Sequence, residues 1–84
     1  MEETRVALIG IIVSDPAAAE ALNGILHTYN SYIIGRMGLP YQQRNISVIS
    51  IVLDAPQPVI SAVAGKLGMV PHVTAKTIYA NLPD

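Results

Sequence analysis

Arg5–Val13 reads RVALIGIIV, a run in which every residue after the arginine is apolar or glycine, at odd and even positions alike. A β-strand alternates its side chains, so Val6, Leu8 and Gly10 point one way while Ala7, Ile9 and Ile11 point the other. Neither face of such a strand suits water. With one layer of helices available in 84 residues, the second face needs another subunit to cover it, and self-association through the sheet is expected.

The length allows one small domain over residues 1–84, of a size that buries only roughly 60–65% of the surface its unfolded chain exposes. Five basic and six acidic residues give a formal net charge of −1. With no cationic face to neutralise phosphates, direct nucleic-acid binding is not expected. There are no cysteines, which excludes disulfides, thiolate zinc sites, iron–sulfur ligation and thiol nucleophiles. Glu2, Glu3 and Thr4 precede the apolar run, acidic where a signal peptide would be basic, and the run is too short to span a bilayer. A cytoplasmic protein with no membrane contact is expected.

Beyond Val13 the pattern changes at Ser14-Asp15-Pro16, where Asp15 can cap a helix and Pro16 suits its first position. Ala18, Leu22, Ile25, Leu26 and Tyr29 then recur at helical spacing, predicting a helix to about Tyr29 or Ser31. Gly24 inside it suggests a close approach to a neighbouring backbone. Tyr32–Leu39 (YIIGRMGL), with two glycines and Pro40 behind it, suits a border strand. Tyr41–Asn45 makes a polar hairpin loop, and Ile46–Leu53 (ISVISIVL) a second central strand. Asp54-Ala55-Pro56 repeats the helix-start signal. Val59, Ile60, Val63 and Leu67 form the next apolar stripe, with Gly68 as a left-handed stop. Val70–Tyr79 closes the chain as a strand, and Asn81–Asp84 is a tail. Right-handed crossovers turn this order into an α+β ferredoxin-like plait (βαββαβ), a four-stranded antiparallel sheet in spatial order 4-1-3-2 with both helices on one face.

The plait restricts which polar residues can meet. Ser14, Asp15, Tyr41, Arg44, Gly68, Pro71 and His72 collect at one pole; His27, Asn30 and Asp54 collect at the other, roughly 26 Å away at about 3.3 Å per residue. His27 and His72 therefore cannot share a metal within one subunit, and no metal or other cofactor is expected. Asp15 and Asp54, expected to cap different helices at opposite poles, cannot serve as paired catalytic carboxylates. No serine has a histidine placed for a triad, and Gly35-Arg36-Met37-Gly38 lacks the strand-to-helix junction of a phosphate loop. No enzyme is expected. Arg36 could grip a carboxylate or phosphate between subunits with its planar fork, or guard an exposed sheet edge.

Several segments together carry a family resemblance: VALIGIIV (Val6–Val13) followed by Asp15-Pro16, ILHTY (Ile25–Tyr29), IIGRMGLPY (Ile33–Tyr41), ISVISIVLDAP (Ile46–Pro56), GKLG (Gly65–Gly68) and Val73–Thr77. The chain resembles the short proteins called iron-only hydrogenase system regulators. These look like the ACT-like, ligand-binding C-terminal domain of nickel-responsive regulators. The resemblance implies an oligomer of plaits with a regulatory role in the iron-only ([FeFe]) hydrogenase system. Nickel sensing by that domain uses several histidines and a cysteine, against two histidines and no cysteine here. With the first strand starting at Arg5, no ribbon-helix-helix DNA-binding segment is expected.

Two functions remain open from the sequence. One is a homodimeric or homotetrameric module that responds to a small-molecule effector held between subunits, with Gly10, Asp15, Arg36 and His72 as its candidate ligand-binding residues. The other is a non-catalytic scaffold or accessory protein without a ligand, docking on another protein of the hydrogenase pathway. An aspartate in place of Ile9 or Ile49 should either dissolve the assembly or unfold the subunit, according to the face each occupies.

Overall fold

β1 (Arg5–Val13) forms the strand that its alternation predicts and becomes the inner strand of the sheet. It pairs antiparallel with β3 (Ile46–Ala55) from Arg5 opposite Ala55 to Val13 opposite Ser47. On its other side it pairs antiparallel with β4 (Val73–Tyr79), from Ala7 opposite Tyr79 to Val13 opposite Val73. β2 (Ile33–Tyr41) joins the outer side of β3, so the order is β2-β3-β1-β4, the expected plait. The computed structural model describes residues 3–81; the expected tail lies outside them from Leu82 onward.

The two helices, α1 (Ala19–Thr28) and α2 (Gln57–Met69), pack on one side of this sheet. Ala7, Ile9, Ile11 and Val13 from β1 and Ile49, Ile51, Leu53 and Ala55 from β3 are buried there against Leu22 and Leu26 of α1 and Ile60, Val63 and Leu67 of α2. The odd-numbered face of β1 is thus the core face. No charged or polar side chain is buried among the described residues, so the interior is held by apolar packing alone.

At one end of the core, polar contacts tie three elements together. Arg5 at the start of β1 donates to Gln57 Oε1 at 2.6 Å, and its guanidinium lies 4.2 Å from the centre of the Tyr79 ring. The Gln57 amide donates to the Tyr79 hydroxyl at 2.7 Å and to Ser61 Oγ at 3.1 Å. The first residue of α2 is thereby fixed to both strands of the β1–β4 pair at that end.

Local signals were obeyed unevenly. Asp15 caps as expected, its carboxylate accepting from the Ala17 N–H at 2.9 Å, but the first turn it caps is a 3-10 turn over Pro16–Ala18. Asp54 does not cap α2: β3 stays paired through Ala55, which holds Asp54 extended, and Pro56 takes the capping position without a side-chain bond. Nor does Gly68 stop α2 in a left-handed conformation. The helix continues to Met69, and the left-handed residue of the following turn is His72, with φ 68°. The Val73 N–H bonds the Val70 carbonyl at 3.2 Å to close that turn, so β4 begins at Val73 rather than Val70. A Cβ on Gly24 would meet nothing within 4 Å, so this glycine marks no close approach. β2 starts one residue later than expected and runs through Pro40, which an edge strand tolerates because one of its sides pairs with nothing.

The core assignment resolves the aspartate test. Ile9→Asp and Ile49→Asp both put a carboxylate among helix-facing side chains, so each should unfold the subunit by losing about 4 kcal/mol or more, measured by urea denaturation. Asp15→Ala should cost about 1 kcal/mol through the lost cap, whereas Asp54→Ala should stay within about 0.5 kcal/mol.

Candidate functional site

The four candidate ligand residues fall in three places. Asp15 and His72 come together beyond the end of β1, with His72 Nε2 3.9 Å from Asp15 Oδ2, the His72 side chain exposed and that of Asp15 about half-buried. Ser14 lies beside them, but its hydroxyl donates to the His72 carbonyl at 3.1 Å, and its N–H bonds the same oxygen at 2.8 Å. The His72 backbone is therefore a brace for the β1 terminus, and its imidazole is not the partner of a nucleophilic serine. Gly10 lies on the sheet face away from the helices, opposite Ser50 and Lys76. Arg36 lies on the opposite face of the sheet, toward α1.

Arg36 reaches that side because of an irregularity in β2. Ile33 pairs with Leu53 and Gly35 with Val52, so Ile34 is an extra residue and the alternation flips after it. Arg36 and Gly38 consequently stand opposite the core residues Ile51 and Ile49, while Met37 and Leu39 stand opposite Ser50 and Val48 on the open face. Without the bulge the arginine would point to the other side of the sheet.

The helix side of β2 is a groove against α1. Its upper part encloses about 280 Å³, with Val13, Leu22 and Ile49 as apolar lining, Pro40 and Tyr41 on the strand side, and Asn45 and Ser47 at the hairpin end. Its lower part is more open and runs past Leu26, His27, Asn30 and Ile33. Asn23 and Arg36 border both parts, and the guanidinium spans the groove to donate to Asn23 Oδ1 at 2.9 Å. His27 is thus beside this groove, far from His72 in the topology. Among the described residues no three His, Cys, Asp or Glu side chains gather as metal ligands.

The open face forms a second surface. Register places three cross-strand rows on it: Gly35, Val52, Leu8 and Ile78; then Met37, Ser50, Gly10 and Lys76; then Leu39, Val48, Ile12 and Thr74. Leu8, Ile12, Val48, Ile78, Leu39 and Met37 are 37%, 45%, 37%, 64%, 63% and 71% exposed in the single subunit. At the middle of the face, a Cβ on Gly10 would meet nothing within 4 Å.

Asn23 was missed in the sequence because an asparagine on the polar stripe of an amphipathic helix looks like any solvated residue. Its distinction comes from the bulge that turns Arg36 toward it, and no residue in IIGRMGL marks that bulge. Asn45 did carry a signal: asparagine is among the few residues that tolerate a left-handed conformation, and it adopts φ 55° at the end of the hairpin's 3-10 turn.

Comparison with known proteins follows these features closely. A family model described as "TM1266-like: Iron-only hydrogenase system regulator, putative" matches residues 5–77, from the first residue of β1 to within two residues of the end of β4. The solved structure of the uncharacterised protein TM1266 from Thermotoga maritima superposes with a TM-score of 0.91 at 32% identity, covering 94% of this chain and 100% of that one. The C-terminal domain of the MgtC protein from Mycobacterium tuberculosis shares the fold at a TM-score of 0.68 and 15% identity, over 95% of this chain and 92% of that one. A formyltetrahydrofolate deformylase from Pseudomonas putida contains the same fold in 29% of its length, covering 93% of this chain at a TM-score of 0.62 and 11% identity. No curated protein sequence matches the chain. A model match that spans both helices and all of the sheet but the last two residues of β4, with a similar solved structure covered end to end, makes this chain a member of the TM1266-like family, the family that carries the iron-only hydrogenase system regulator description.

Proposed function

We propose that this protein is a regulatory module of the iron-only hydrogenase system, acting as a homo-oligomer whose copies join through the open sheet face and whose assembly responds to a small-molecule effector. The family supplies the hydrogenase system and the regulatory role. The observation that carries the assembly is the concentration of Leu8, Ile12, Met37, Leu39, Val48 and Ile78 on one uncovered face.

Burial arithmetic favours a second copy as the cover. Four strands spaced about 4.8 Å apart, with about seven residues at about 3.3 Å each, make a face of roughly 19 by 23 Å. Its corrugated surface approaches the roughly 600 Å² per partner at the lower end of specific interfaces. Isolated apolar side chains on a surface need no explanation, but two apolar rows flanking a third that carries Met37 do. The single charge within these rows, Lys76, stands on the edge strand β4, where a long stem can keep its ammonium in water at the rim.

The reading is of a non-catalytic protein. It is supported by the Ser14 hydroxyl beside the Asp15–His72 pair being bonded to the His72 backbone carbonyl rather than to the imidazole. Among the described residues no helix is long and apolar enough to cross a membrane.

Sedimentation equilibrium at micromolar concentration should give at least twice the 8.9 kDa chain mass. Ile12→Asp should raise the dissociation constant about 100-fold or more while leaving the folded spectrum intact, because its carboxylate is wet in the single subunit and desolvated only on association. A wild-type monomer would point instead to the scaffold function, with the face reserved for another protein of the pathway.

A further inference from the structure

We propose that the groove between α1 and β2 binds a small amphipathic monocarboxylate, with Arg36 and Asn23 holding the carboxylate and the apolar lining holding a short hydrocarbon part. This rests on the effector-responsive reading above and gives the effector a chemical class and a place within one subunit.

Charge selects the head group. Among the described residues the one ion pair is His72–Asp15, so Arg36 has a neutral amide as its partner and no carboxylate. A guanidinium presents five N–H donors in a planar fork, of which the bond to Asn23 uses one. The others are available for a paired contact with two oxygens, and the Asn23 amide group supplies further donors beside them. No second Arg or Lys borders either part of the groove. One cation matches one negative charge, which favours a carboxylate over a phosphate dianion.

Shape selects the remainder. Val13, Leu22 and Ile49 belong to the core and line the upper part, so a hydrocarbon chain or ring placed there extends the existing apolar packing. The volume of about 280 Å³ accommodates about nine groups of roughly 30 Å³ each, a carboxylate carrying about six carbons with room for water. This lies at the small end of ligand sites, which run from about 300 Å³ upward.

The strand that grips the ligand also carries part of the open face. Arg36, Gly38 and Pro40 face the groove while Met37 and Leu39, between them, belong to the proposed interface. An occupant that repositions β2 by its hold on Arg36 therefore moves two of the most exposed apolar side chains of that interface. Differential affinity for the two positions of β2 couples binding to assembly.

The test is titration of the isotopically labelled protein with hexanoate, hexanol and hexylamine, followed through the Asn23 side-chain amide and the Arg36 Nε–H signals, with sedimentation run in parallel. Hexanoate should shift both signals saturably at millimolar or lower concentration, with hexanol and hexylamine at least about tenfold weaker. Arg36→Gln should weaken hexanoate about 10- to 100-fold, the value of a charge-assisted hydrogen bond, while Arg36→Lys, which keeps the charge and loses the fork, should fall between. The monomeric Ile12→Asp variant should keep the site, since every residue of it belongs to one chain. Equal binding of the three probes, hexanoate binding unchanged in Arg36→Gln, or no saturable shift at all overturns the proposal. Binding that depends on Arg36 without any change in sedimentation supports the site and counts against the effector reading, so the two fail separately.

Discussion

The structure depends on one constraint: β1 occupies the interior of a four-stranded sheet with apolar side chains on both of its faces, and the helices cover only one of them. Ala7, Ile9, Ile11 and Val13 hold α1 and α2 against the sheet, and this contact is apolar throughout, since no polar side chain is buried among the described residues. The other face extends the same apolar character outward through Leu8 and Ile12, joined by Val48 and Val52 from β3, Ile78 from β4 and Met37 and Leu39 from β2. A small domain with a modest core has much to gain from covering such a face, so the proposed assembly would be a continuation of folding.

The same constraint explains why the groove exists. Two helices are narrower than four strands, and α2 lies over β4 while α1 reaches only to the near side of β2. The helix side of the outer strand is left without a lid. Small residues there, Gly38 and Pro40, keep the space open, and the bulge at Ile34 turns the one arginine of the strand into it. β2 consequently has two different surfaces, a polar-headed groove behind and an apolar front, separated by the thickness of one strand.

Much of the fold was legible in the chain because its signals are strong and redundant. RVALIGIIV and ISVISIVL cannot be satisfied at the edge of a sheet, the helical stripes repeat without interruption, and Pro40 with two glycines marks a border strand. What was not legible depends on long-range pairing. Asp54 looks like a helix cap, yet the ladder between Arg5 and Ala55 outweighs one capping bond. Gly68 looks like a helix stop, yet the last turn of α2 continues to Met69 and His72 takes the left-handed conformation instead. The candidate site suffered most from this: register alone determines which way Arg36 points, and one bulged residue changes it. Arg36 was recognisable as an unusual charge among apolar neighbours, whereas Asn23 was not, and Gly10, Asp15 and His72 lie away from the groove.

The account stands or falls on whether the open face is covered in solution. Methyl relaxation by a soluble paramagnetic probe measures this directly, with Met69 at the end of α2, 84% exposed, as the reference. At micromolar protein the methyl groups of Leu8, Ile12, Leu39 and Ile78 should relax much more slowly than that of Met69, as though buried. Relaxation of all of them at the rate their exposure in a lone subunit dictates would contradict it.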